Sequence, residues 1–114
     1  MKLIKSFRHA IDGIINTAGV ETNLKIHFAA MIFVIALGLF VRLSSFEWII
    51  CIILFGLVIS GELFNTAIEK AMNYINDDYD DDIKFIKDAS AAGVLVLAIA
   101  SAVIGLIIFI PKLV

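Results

Sequence analysis

Three apolar runs decide what this chain can become. The first, residues 26–43, is broken only by His27 before Arg42, Ser44 and Ser45 mark its far end. The second extends from about Trp48 to Ile68, and the third from about Ala89 to Ile110, where Pro111-Lys112 closes it. Each is long enough to cross about 30 Å of hydrocarbon as a helix. A soluble domain of 114 residues that is 61% hydrophobic has no interior large enough for so many apolar side chains. The expected fold class is therefore an all-α membrane protein, a single integral-membrane domain over residues 1–114. Lipid serves as solvent for much of its surface.

Ahead of the first run, residues 2–18 form an amphipathic pattern. Leu3, Ile4, Phe7, Ile11, Ile14 and Ile15 recur at helical spacing, while Lys2, Lys5, Arg8 and Asp12 stay off that stripe. Such a helix suits two placements, along the membrane surface or as a cap over the bundle interior. Lys2, Lys5, Arg8 and Asp12 interrupt this first apolar stretch, so no cleavable signal peptide is expected in it. Thr17, Gly19 and Thr22 weaken the helix near residue 20. The single Cys51 lies inside an apolar run, permits no intrachain disulfide and reads as a small buried hydrophobe.

Positive charge in the short flanks sets the topology. Lys2, Lys5, Arg8 and Lys25 precede the first span, and Lys70, Lys84 and Lys87 lie between the second and third, against Arg42 and Lys112 on the other side. The N-terminus and the segment 70–88 are expected in the cytoplasm, with the C-terminus outside. The polar segment Asn73 to Lys87 carries Asp77, Asp78, Asp80, Asp81 and Asp82. It lacks the spacing, central glycine and terminal glutamate of a known calcium loop and reads as a solvated acidic connector.

One stretch carries chemistry: Gly61-Glu62-Leu63-Phe64-Asn65-Thr66-Ala67-Ile68-Glu69. On a helix, Glu62, Asn65, Glu69 and Asn73 fall on one narrow stripe at about 100° per residue. Topology brings Glu21, Lys87 and Asp88 to the same interface. Three chemistries fit this set of oxygens: Mg²⁺ on a nucleotide, an ion or proton path, or a structural polar cluster between subunits. Lys87 favours phosphate, because an ammonium neutralises anionic oxygens during phosphoryl transfer. No glycine-rich phosphate loop is present, so a nucleotide site must be built differently. Small residues in the third span (Ala89-Ser90-Ala91-Ala92-Gly93, then Ala98, Ala102 and Gly105) and Ser60-Gly61 in the second invite close helix packing, within one chain or between chains. Three spans are too few to surround a lipid tail and a nucleotide without another chain.

The motif Glu62-Leu-Phe-Asn65-Thr-Ala-Ile-Glu69, followed by Lys87-Asp88 and an Ala/Gly-rich third span, resembles the small bacterial integral-membrane diacylglycerol kinase and undecaprenol kinase family. The resemblance covers nearly the whole chain, from the surface helix through Glu21 to the third span. It implies a homotrimer of three-span subunits in the bacterial cytoplasmic (inner) membrane, transferring the γ-phosphate of MgATP to a membrane lipid alcohol. It implies Glu62 as general base and Asn65 as the residue orienting the catalytic groups and the lipid. Glu21 and Glu69 would bind Mg²⁺, and Lys87 and Asp88 would contact ATP. Arg8 matches the family only in the basic character of the surface helix and is carried with the nucleotide contacts.

Asn73 departs from the pattern, since the family usually has Asp there; it keeps the oxygen and loses the charge, which makes it a supporting position. The Asn-Thr-Ala-Ile-Glu form and Ile26-His27 look more like the undecaprenol branch than the diacylglycerol branch. Undecaprenol is therefore the expected acceptor, with diacylglycerol as the alternative and no role for nucleic acid. An oligomeric ion channel or transporter, or an inactive family member, is the rival reading.

Overall fold

The computed structural model describes residues 1–76 and 80–114. Asp77 and Asp78 of the acidic connector lie outside the described residues. The described residues form four helices: α1 (Lys2–Val20), α2 (Thr22–Val41), α3 (Ser45–Ile75) and α4 (Asp81–Leu113). The last three are each long and apolar enough to cross a membrane.

The break between α1 and α2 falls on Glu21, which adopts an extended backbone (φ −100°, ψ 111°) while its N–H still closes the last turn of α1 on Thr17. The apolar stripe of α1 does not cap the bundle. Leu3, Ile4, Phe7, Ile11, Ile14 and Ile15 are all exposed, and no residue of α1 is buried. That leaves the stripe open to a membrane surface, one of the two placements its pattern suits.

At its far end α2 stops with Arg42 in the left-handed conformation (φ 59°), and Leu43 N–H turns back onto the Gly38 carbonyl at 3.1 Å. Ser44 then opens α3 with a capping box: its hydroxyl accepts from Glu47 N–H, and the Glu47 carboxylate accepts from Ser44 N–H at 2.9 Å. Trp48 packs over Gly38, where an added Cβ would lie 2.8 Å from the indole ring. A small core of Leu43, Cys51, Ile108 and Phe109 ties α3 to the end of α4. Lys112 pairs with Glu47 at 3.0 Å across the same end.

Beyond the site, helix replaces most of the connector expected over residues 73–87. α3 continues to Ile75, and α4 starts at Asp81 behind Asp80, whose side chain accepts from the N–H groups of Asp82 and Ile83. Asp80–Asp82 thus serve as cap and first turn, where carboxylates favour the positive end of the helix. At 31 and 33 residues, α3 and α4 outlast the hydrophobic thickness by roughly 15–20 Å. That overhang carries the polar residues of the site on rigid helix. α4 also runs through Pro111, in its last turn, to Leu113.

Candidate active site

Helix α3 grades from dry to wet along its oxygen-bearing stripe. Glu62 is buried at 4% exposure and Asn65 at 9%; Glu69 is half-buried and Asn73 exposed. Thr66, one turn after Glu62, is buried as well. The helix leaves the apolar zone over these residues, so successive turns meet progressively more polar surroundings. α4 approaches closely here because Gly61 has no side chain: a Cβ at that position would lie 2.8 Å from Leu97 Cδ1.

The Glu62 carboxylate is met by His27 of α2, whose Nε2 lies 3.1 Å from Oε1. In the sequence His27 stands out as the lone interruption of an apolar run and, with Ile26, as a likeness to the undecaprenol branch; neither gives it a place in the site, and only packing of α2 on α3 pairs it with Glu62. Asn65 Oδ1 is buried without a hydrogen-bond partner among the described residues. A buried acceptor in that state is costly, and a cation or a hydroxyl arriving beside Glu62 would satisfy it.

Lys87 reaches across from α4 and donates to Asn73 Oδ1 on α3. The structure therefore joins Lys87 to the stripe through Asn73. Asp88 points elsewhere and is held by Lys84 one turn back on its own helix, exposed to solvent. Glu21 sits half-buried at the α1–α2 junction, and its side chain makes no cap bond to α2. Arg8 is exposed on α1. The chain thus brings together Glu62 with His27, and Lys87 with Asn73. It draws the carboxylates of Glu21 and Glu69 into no hydrogen bond or ion pair with a described residue.

The donor set suits Mg²⁺. Along the stripe the Glu69 carboxylate has no partner among the described residues, and Asn65 Oδ1 is a further hard oxygen without one there. Among the described residues no group of three or more His, Cys, Asp and Glu side chains forms a self-contained metal cage. Magnesium does not need one, since it takes one or two carboxylates and completes its shell with phosphate oxygens and water.

Beside the His27–Glu62 pair opens an apolar groove of ≈ 660 Å³ between α2, α3 and α4. Its walls include Val34, Leu37, Phe55, Val58, Ala98 and Gly105, and the His27 ring belongs to its lining. A buried carboxylate and an apolar groove therefore share one histidine.

The chain as a whole is similar to known proteins. The prokaryotic diacylglycerol kinase family matches residues 8–109. The undecaprenol kinase of Bacillus subtilis (strain 168) is 46% identical over 112 residues, covering 98% of this chain and 91% of that protein. The diacylglycerol kinase of Synechocystis sp. is 30% identical over 112 residues, covering 97% of this chain and 64% of that protein. No solved structure gives a significant match. With the family match running from α1 almost to the end of α4, the chain belongs to the prokaryotic diacylglycerol kinase family.

Proposed function

We propose that the protein phosphorylates undecaprenol, taking the γ-phosphate of MgATP at the cytoplasmic face of the membrane. The observation that carries this reading is the Glu62 carboxylate, buried at the polar end of α3 beside an apolar groove. The relative at 46% identity, an undecaprenol kinase, supports the acceptor. Diacylglycerol is the second candidate, supported by the Synechocystis relative and the family.

A lipid alcohol placed with its tail in the groove brings its hydroxyl to the end where Glu62 lies. Glu62 takes the hydroxyl proton as the lipid oxygen forms its bond to the γ-phosphorus; the bond from that phosphorus to the β–γ bridging oxygen breaks, and ADP leaves. Asn65 orients the reacting groups, while Lys87 and Asp88 contact the nucleotide, and Arg8 of α1 is carried with them as a basic residue. Glu21 and Glu69 would hold Mg²⁺, which supplies charge neutralisation to the phosphate oxygens when bound.

The assembly proposed is a homotrimer. Ala91, Ala92 and Gly93 of α4 are exposed, and Gly93 has open space where a Cβ would stand, which leaves that face free for another copy.

The test is phosphate transfer from radiolabelled ATP by purified protein of measured oligomeric state, with undecaprenol and diacylglycerol offered separately. The expected result is preferential labelling of undecaprenol. Labelling of diacylglycerol alone would change the acceptor, and labelling of neither would end the kinase reading.

A further inference from the structure

We propose that His27 is a positioning residue for the phosphoryl transfer, holding the Glu62 carboxylate through its Nε2–H; the proposal rests on the kinase reading above. His27 Nε2 stands 3.1 Å from Glu62 Oε1, and this is the one hydrogen bond that the Glu62 side chain makes among the described residues. Glu62 acts as a base only when ionised, and an ionised carboxylate only accepts hydrogen bonds. Whenever Glu62 is ready for the lipid hydroxyl, the proton in the contact therefore sits on Nε2, and His27 is the donor. With Oε1 occupied, Oε2 remains for the lipid hydroxyl.

Two further features place this role on His27. A carboxylate with a 5%-exposed side chain needs a partner, because burying an unpaired charge is far more costly than burying a paired one. Neighbouring Asn65 contributes no relief at its oxygen, since Oδ1 is itself an unpartnered acceptor. In addition, the imidazole is part of the groove wall. His27 thus borders the space for an apolar tail and also holds the base. The direction of the carboxylate is thereby linked to the surface along which the acceptor slides, which is the geometric control that a near-attack arrangement requires.

The experiment compares His27→Leu and His27→Gln with the unmodified protein, measuring kcat and the lipid KM separately and checking helix content and thermal unfolding of each. Leucine keeps the groove apolar and removes the donor; glutamine restores an N–H at similar reach. A misdirected base costs about 10- to 100-fold in rate, so His27→Leu should lose that much kcat while its lipid KM stays within about twofold. His27→Gln should recover most of the loss. Unchanged kcat in a folded His27→Leu overturns the proposal, as does a His27→Gln no better than leucine or a loss that appears only in KM. Absence of transfer by the unmodified protein overturns the kinase reading and this proposal together, whereas full activity in His27→Leu removes only the role of His27. A readout independent of turnover is the ¹⁵N spectrum of histidine-labelled protein. The expected result is an Nε2-protonated His27 whose signal moves in Glu62→Gln, and an Nδ1-protonated neutral ring overturns the donor assignment.

Discussion

Lys87 on α4 donates to the carboxamide oxygen of Asn73 on α3, so the cation expected at the nucleotide rests on a neutral partner. A neutral acceptor orients an ammonium without cancelling its charge, and the field of Lys87 stays available to phosphate oxygens. Lys87→Ala should therefore raise the KM for ATP by about 10-fold or more, the range of a lost charge-assisted hydrogen bond. Asn73→Ala removes only the support and should change it by less than about threefold. Asn73→Asp would place a carboxylate against the ammonium and weaken ATP binding by competition. ATP titration of the kinase reaction at saturating lipid checks the order.

Glu62 and Glu69 lie two turns apart on one helix yet differ in burial. If Glu62 is the base, as proposed, Glu62→Gln should lower kcat by about 10²-fold or more at every Mg²⁺ concentration. If Glu69 is a cation ligand, as proposed, the loss in Glu69→Gln should recede as Mg²⁺ is raised. A magnesium titration of both variants distinguishes the two roles.

Gly38 and Gly61 both admit a neighbour that a Cβ would meet at 2.8 Å, but the neighbours differ. At Gly61 the atom is the end of the flexible Leu97 side chain; at Gly38 it is also the rigid ring of Trp48. Gly38→Ala should therefore destabilise by about 1–3 kcal/mol, as overpacking does, and Gly61→Ala by less. Thermal unfolding in one detergent ranks the pair. Gly61→Ile, which pushes α4 away beside Glu62, should also lower kcat.

The turn between α2 and α3 concentrates two opposite effects. Ser44→Ala breaks the capping box and should cost about 1 kcal/mol. Arg42 holds a left-handed conformation at φ 59°, which suits glycine better than a residue with a Cβ. Arg42→Gly should stabilise the fold by on the order of 0.5–1 kcal/mol. Thermal unfolding of the two single variants checks both signs.

The sequence by itself determined the helices that cross the membrane, because apolar runs of this length leave few other ways to satisfy both side chains and backbone. It also determined the stripe of Glu62, Asn65 and Glu69, since helical spacing alone puts those oxygens on one face. The family was legible from the same motif, and the match over residues 8–109 bears that out.

What periodicity does not carry is the partner of each polar group. His27 looked like a break in an apolar run and became the contact of Glu62 only when α2 packed on α3. Asn73 looked like the doubtful end of the stripe and became the acceptor for Lys87 once α4 returned alongside. Asp80–Asp82 belonged to a connector until their backbone formed the start of α4. Spacing along a helix fixes which face a side chain occupies. Which residue of another helix faces it depends on how the helices cross, and that is decided by contacts such as Gly61 with Leu97 and Gly38 with Trp48.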